Sequence, residues 1–414
     1  MSSPVKTGTS SPSILIISAL DFWSMGEGKG GSALYNTISS YANRGWKVTF
    51  ITSNSNRDGA DTYHENIRVY RFETPLLKRL MKIRKIGYFA KMLWWLRFQI
   101  TAFMKAQRLP LKHEIDVVYG YEIYGAPVAR ALSRRWNIPL VTRFQGTSFG
   151  ADWHGRKFRG LRAWEHRVGL LTPADLIIMT NDGTQGDRVL KEIGADMGKV
   201  RFWMNGMDRG LFSDMPDPDS AKRMLGLQDR HVLLCVSRLV GWKHLERSIE
   251  ALSGVLEEYH ETVLVIVGDG PERKKLVTLA EELGIGERVN FMGAVPHSEI
   301  PRYLAAADIF LSLYDWSNVG NPLLESMMAG KCIVTLNNGD TGRFVINNEN
   351  GVLLEYEDLP KLSGTITDLL AHETHRKRLG QNARKFADEH FRSWETRMDM
   401  EVSEVSELIG QSSA

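Results

Sequence analysis

With 414 residues, of which 43% are hydrophobic and 24% charged, the chain has the composition of a folded globular protein and is too long for one ordinary core; two domains of about 200 residues each are expected. The net charge of +3 conceals an asymmetry: residues 1–208 hold 30 Lys and Arg against 17 Asp and Glu, whereas residues 209–414 hold 22 against 32. A basic first half suits an anionic partner, and charge alone does not choose among a phosphorylated acceptor, a membrane surface and nucleic acid. Cys235 and Cys332 both lie in apolar runs, which argues against a disulfide or a metal site and for buried thiols in a reducing cytoplasm.

In chain order, residues 1–12 are rich in Ser, Thr, Pro and Gly and lack the apolar stretch of a secretion signal; they are expected to be a disordered tail. Ser13 to Leu20 predicts a buried strand, a glycine-rich loop follows, a helix is expected from about Ser32 to Arg44, and Trp46 to Ser53 predicts a second strand. This is a βαβ unit. The loop holds a formal G-x-G-x-x-G at Gly26, Gly28 and Gly31. It departs from a dinucleotide fingerprint because the first glycine comes six residues after the strand and Asn54, not an acid, follows the second. Lys29 precedes Gly rather than Ser or Thr, which excludes a P-loop. What survives is a loop whose Gly30 and Gly31 amides can approach phosphate or sugar closely.

Between Thr74 and His113 there is no acidic residue and there are ten Lys or Arg. On a helix over 86–108, Phe89, Leu93, Leu96, Ile100 and Phe103 fall on one arc, the expected core face, and Lys91, Trp94, Arg97, Lys105 and Arg108 on another. Charge interrupts the segment too often for it to span a bilayer. A basic face with aromatics suits lipid headgroups, so residues 78–108 are a candidate contact with an anionic membrane, against the alternative of a solvated basic face.

The alternation continues with strands at Ile115 to Tyr119, Pro139 to Phe144, Asp175 to Thr180 and Val200 to Met204, and a helix over Ala126 to Trp136. Residues 13–208 therefore predict a doubly wound domain. Residues 209–225 include a polar, proline-rich stretch and are expected to be a linker. Strands then recur at His231 to Ser237, Thr262 to Gly268, Arg288 to Met292, Asp308 to Leu313, Cys332 to Leu336 and Gly351 to Leu354, a second doubly wound domain over 226–390. Residues 391–414 predict a C-terminal helix. Two such α/β domains imply a cleft between them.

Three strand ends carry the chemistry. Arg238 and Lys243 follow HVLLCVS at the start of a helix, where two cations and amide donors suit a departing pyrophosphate. VIVGDGP ends a strand at Gly268. LYDWSNVGNPLLESMMAGK, from Leu313 to Lys331, reads as strand, loop and helix, with Pro322 in the first turn and Gly330 as the stop.

Strand-SRL-x-x-x-K, V-G-D-G-P, V-x-F-x-G at 289–293, A-A-A-D at 305–308 and L-L-E-S-M-M-A-G-K at 323–331 occur in the order and spacing of the retaining nucleotide-sugar glycosyltransferases of family 4 (glycosyl transferases group 1). The glycine loop, the Gly146-Thr147 strand end and N-G-M-D at 205–208 resemble the N-terminal half of that family, so the likeness runs from about 13 to 392. It implies a GT-B fold, two Rossmann-like domains facing across a cleft, with the donor held by the second domain, the acceptor by the first, and no metal or other cofactor. By that resemblance Arg238 and Lys243 bind the diphosphate and Glu325 the ribose. Gly30 and Gly31 approach the diphosphate and sugar, with Gly268 also on the donor side, and the backbone near Met292 meets the base. Asn318, Val319, Gly320, Asn321 and Leu323 lie in the segment that supplies amide donors. The C-terminal helix is expected to cross back to the first domain.

Two positions depart from the family pattern. Ser317 stands where the family has the first of two glutamates, which contacts sugar hydroxyls, so the expectation is either a different donor sugar or a sugar held by Asp315, Ser317 or Asn318 instead. Gln145 stands where a histidine is common before Gly-Thr, and an amide takes no proton at neutral pH; His154 and His166 are near in sequence on that acceptor side. The expected activity is retaining, metal-independent transfer of a hexosyl or related sugar by front-face attack, from a UDP-sugar in preference to a GDP-sugar, to a glycan or lipid-linked hydroxyl. The expected enzyme is cytoplasmic or peripheral to the cytoplasmic membrane and has no nucleic-acid partner. The alternative is a non-catalytic GT-B subunit that binds glycan or a partner transferase.

Overall fold

The structure is a computed structural model that describes residues 11–20, 33–53, 64–72, 81, 83, 87–110, 112–147 and 164–413. The glycine loop with Gly30 and Gly31, most of 73–86, and His154 lie outside the described residues. The chain forms two compact units: the first takes the described residues up to Asn181, Gly186–Trp203 and those from Glu395 onward, and the second takes Asp182–Gln185 and Met204–Trp394.

The first unit is built on β1 (Ser13–Ser18), β2 (Lys47–Thr52), β3 (Ile67–Arg71), β4 (Val117–Tyr121), β5 (Leu140–Phe144), β6 (Leu176–Thr180) and β7 (Val200–Trp203). They form a parallel sheet of order β3-β2-β1-β4-β5-β6-β7. Every residue of β1 is buried, as a parallel strand covered on both faces requires. The strand β3 was not anticipated: IRVYR is a five-residue edge strand with only Ile67 buried, too short and too charged to stand out. Around the sheet lie α1 (Ala33–Asn43), α2 (Gly87–Gln107), α3 (Glu122–Trp136), α4 (Trp164–Leu170) and α5 (Gly186–Glu192). Helix α3 starts at the very end of β4, with Glu122 at φ 65°. It packs so closely that a Cβ on Gly125 would lie 2.1 Å from the Ile17 carbonyl oxygen.

Helix α2 turns opposite to the sequence expectation. Its buried residues are Ala90, Trp94, Phe98, Ala102 and Ala106, spaced four apart, a single ridge whose alanines let the helix approach closely. Trp94 stacks on Phe98 and meets the edge of Tyr124 in α3. Four of the five bulky residues expected in the core face outward, Phe89 being 62% exposed, Leu93 52%, Leu96 49% and Ile100 51%, while Phe103 is half-buried and packs against the core. Lys91, expected on the basic face, instead pairs with the buried Glu165 carboxylate of α4.

The second unit has β8 (His231–Val236), β9 (Thr262–Val267), β10 (Val289–Gly293), β11 (Ile309–Ser312), β12 (Cys332–Leu336) and β13 (Val352–Leu354), within one residue of the expected strand starts. Their order is β10-β9-β8-β11-β12-β13, again all parallel. The segment read as a connector, 209–225, holds α6 (Pro218–Leu225), whose Ala221 packs on Ala305 and Ala306 of α9 (Ile300–Ala306). Further helices are α7 (Glu246–Val255), α8 (Arg273–Glu282), α10 (Asn321–Met328), α11 (Leu362–Ala371) and α12 (Glu373–His390). Cys235 and Cys332 are free and buried, as expected, and burial pushes both thiols up to about 12.

The last helix, α13 (Trp394–Ser413), belongs to the first unit from Glu395 onward. There Glu401, wholly buried, bonds Arg143 of β5 at 3.2 Å, Arg397 at 3.0 Å and the Tyr119 hydroxyl of β4 at 2.7 Å. Burial raises the carboxyl pKa, but the two guanidinium groups outweigh it and hold Glu401 below its ordinary value.

Candidate active site

In both sheets the strand order reverses direction at one place, between β1 and β4 and between β8 and β11. The carboxyl ends of strands at such a switch point leave a crevice for ligands. In the second unit, the loop after β8 carries Arg238 and Lys243, and the loop after β11 carries Asp315 to Gly320.

These two loops are fastened together. Arg247 of α7 donates to the Leu313 carbonyl at 2.7 Å and to Asp315 Oδ1 at 2.7 Å, while His244 Nε2 meets Asp315 Oδ2 at 2.5 Å. The Asp315 carboxylate is therefore occupied by the β8 side of the crevice. Lys243 Nζ sits 3.4 Å from the Tyr314 ring centroid and 4.2 Å from that of Trp242. Burial and then the nearby Arg238 bring its pKa down from 10.5 to about 7, while the two aromatic faces attract the ammonium form. Arg238 itself is exposed. Trp316, 52% exposed, lies 6.1 Å from the Trp242 ring.

Ser317 and Asn318 are consumed by the loop itself. Ser317 Oγ donates to the Asp182 carbonyl at 2.7 Å and accepts from Val319 N at 3.1 Å. A Cβ on Gly183 would come within 2.1 Å of that same oxygen, so the short side chain lets Asp182–Gln185 pack against this loop. Asn318 is fully buried; its Oδ1 accepts from Ser312 Oγ and Tyr314 N, both at 2.9 Å, and its Nδ2 donates to Asn338 Oδ1 at 3.1 Å. The backbone amides divide likewise: that of Asn318 donates to the Thr341 hydroxyl beyond β12 and those of Val319 and Gly320 have partners in the loop, whereas those of Asn321 and Leu323, in the first turn of α10, fall among the groups a helix start leaves open.

Gly268 has φ 132°, and its amide donates to the Gly293 carbonyl at 2.7 Å. A Cβ there would lie 1.9 Å from the Ser237 carbonyl oxygen, so this glycine joins the ends of β8, β9 and β10. Met292 stands at the register shift of β10 and is 42% exposed. Glu325 is 4% exposed within α10, and its Oε1 is 2.8 Å from His297 Nε2. That hydrogen bond raises the imidazole pKa against the lowering effect of burial, with the Glu325 charge and Asp208 adding to the rise. The partnership with His297 was invisible in the sequence, since nothing in the local pattern joins residues 28 apart on different elements.

In the first unit, Gln145 follows β5 beside the other switch point. Its side-chain amide donates to the Tyr121 hydroxyl at 2.7 Å, and its backbone N–H donates to Glu122 Oε1 at 2.8 Å. His166 lies in α4, where burial lowers its pKa.

Two doubly wound units of this topology make an α/β two-domain GT-B fold. Anabaena HepE, solved with UDP and glucose, matches 96% of this chain and 99% of its own with a TM-score of 0.72 at 20% identity. Sucrose-phosphate synthase from Thermosynechococcus elongatus matches 97% and 100% with a TM-score of 0.73, also at 20% identity. By sequence, residues 30–206 match the glycosyl transferase 4-like domain and residues 219–386 match glycosyl transferases group 1. The chain thus belongs to the group 1, family 4-like glycosyltransferases. Among its relatives is the GDP-mannose-dependent alpha-(1-6)-phosphatidylinositol monomannoside mannosyltransferase of Mycolicibacterium smegmatis, 28% identical over 312 residues, 72% of this chain and 78% of that one. Glycogen synthase of Mycobacterium tuberculosis is 26% identical over 288 residues, 68% and 66% of the two chains. An enzyme of glycosyl transfer, not a non-catalytic subunit, is the reading these matches support.

Proposed function

We propose that the enzyme transfers a hexosyl group, with retention and without a metal, from a nucleoside diphosphate sugar to a hydroxyl of a growing glycan or lipid-linked acceptor. The observation that carries the reading is the pairing of Arg238 and Lys243 at the β8 end, within electrostatic reach of each other and fastened through Asp315 to the loop that opens α10. Two adjacent cations disfavour each other until a dianion arrives, and they then stabilise the negative charge that grows on the leaving diphosphate. The Asn321 and Leu323 amides and the positive end of α10 add to that field. Glu325 accepts from the ribose hydroxyls. The departing phosphate takes the acceptor proton in a front-face attack, a role that asks no general base of Gln145, which holds the acceptor side through its amide.

UDP is the base expected from the sequence, and the neighbour solved with UDP supports it. GDP is the second reading, supported by the relative named for GDP-mannose. The same relative, named for a phosphatidylinositol monomannoside, supports a lipid-linked acceptor. No described helix is long and apolar enough to cross a membrane, and the outward apolar arc of α2 supports peripheral attachment from the cytoplasmic side. Turnover of a panel of UDP- and GDP-sugars in EDTA tests the core of the reading: hydrolysis or transfer from at least one donor is expected, falling at least a hundredfold in Lys243→Ala, in line with the loss of a group that stabilises the leaving charge by about 3 kcal/mol. No donor turned over and no nucleotide bound overturns it.

A further inference from the structure

A carboxylate as deeply buried as that of Glu325 needs a partner to remain charged. It has one: His297, in the turn His297–Glu299 before α9, approaches Oε1 at 2.8 Å. Among the described residues no hydrogen bond reaches Oε2. The imidazole is itself 21% exposed on its side chain, so the pair is not sealed in the core. Asp208 is the second acidic group that faces the ring electrostatically, and it holds the imidazole toward its protonated, doubly donating form.

We propose that His297 is a positioning residue of the donor site: its Nε2–H fixes the Glu325 carboxylate through Oε1 and leaves Oε2 turned to the hydroxyls of the donor ribose. The inference rests on the assignment of Glu325 to the ribose. A glutamate in a helix has three side-chain torsions to lock, and an oxygen held by a charge-assisted bond keeps the other in one place before the ligand arrives. His297 then contributes to affinity without touching the nucleotide, and only through the ribose hydroxyls.

That restriction gives the test. Calorimetric titration of the full-length enzyme with UDP and GDP and with their 2′,3′-dideoxy counterparts measures the preference for the hydroxylated ribose. Wild type is expected to prefer the hydroxylated nucleotide by about tenfold, the worth of one good hydrogen bond to a charged group. In His297→Ala the preference is expected to shrink to about twofold, most of the loss falling on the hydroxylated ligand, and His297→Gln, which keeps an N–H donor on a side chain of similar reach, is expected to restore it. A purely structural role weakens hydroxylated and dideoxy ligands alike, and that result overturns the inference. So does a wild-type preference in His297→Ala beside a lost preference in Glu325→Ala. An unchanged preference in Glu325→Ala removes the ribose assignment, and the role of His297 with it.

Discussion

Lys243 gives a pH dependence with a definite sign. Its ammonium is charged below about 7 and is lost as pH rises through that value, whereas an unperturbed lysine stays charged three decades further. A bound diphosphate favours the charged form, so donor binding takes up a proton when the pH is above the free-enzyme pKa. The KM for a nucleotide sugar, whose diphosphate does not titrate in this range, is therefore expected to rise severalfold between about pH 6.5 and 8.5. Lys243→Arg, which keeps its charge throughout, is expected to flatten the profile. A flat wild-type profile would show that the ammonium stays charged, with the Trp242 and Tyr314 faces outweighing burial. At this scale the sequence announced what a strand end and a motif announce together: Arg238, Lys243 and Glu325 sit on the elements expected of them. It did not announce what a side chain does once neighbours distant in sequence arrive. Ser317 and Asn318 stand in the expected loop but spend their polar atoms on it, and the partners of Asp315 and Glu325 come from a helix and a turn that the sequence places far away.

Among the elements, α2 carries the clearest lesson in reading periodicity. Bulky residues form its most conspicuous arc, but the buried ridge is the one whose alanines allow close approach, and Trp94 and Phe98 fill the space between them. A surface with Phe89, Leu93, Leu96 and Ile100 outward, bordered by exposed Arg97 and Arg108, has the two features that suit an anionic membrane, apolar side chains and cations. Co-sedimentation with vesicles containing anionic phospholipid is expected, and the double change Leu93→Asp with Leu96→Asp is expected to abolish it at any ionic strength. Arg97→Ala with Arg108→Ala is expected to weaken it most at low salt, where the charges are least screened. If the wild-type protein stays in the supernatant at low salt, the membrane assignment fails. Helix α13 makes the opposite kind of contact, a buried ion network in place of an exposed apolar face. Glu401→Ala leaves Arg143 and Arg397 buried without their carboxylate, a loss of about 3–5 kcal/mol. Because the folded carboxyl pKa is depressed, the stabilisation is full above the ordinary carboxylate range and is lost as pH falls through the folded value. Thermal unfolding of the two proteins at neutral and acid pH measures both effects, and a neutral-pH difference under about 1 kcal/mol would show that the triad is replaceable.

For the molecule as a whole, two runs of alternating apolar strands and helices sufficed to foresee two doubly wound sheets, because a parallel strand must be apolar on both faces and few soluble architectures demand that repeatedly. The course of the chain between the units is less direct. It leaves the first unit after Trp203 and returns at Glu395, and Asp182–Gln185 pack with the second unit from within the first. The return has a consequence for the order of events at the ribosome. Arg143 and Glu401 are 258 residues apart, so the strand that holds the arginine leaves the exit tunnel long before the carboxylate it is buried with exists. At about 5–20 residues per second, that interval is on the order of tens of seconds, during which the first sheet waits with a cation in its interior and the whole second unit is made. The segment from Glu395 onward thus closes the first unit, and the nascent chain cannot complete that unit until the whole of the second has been made.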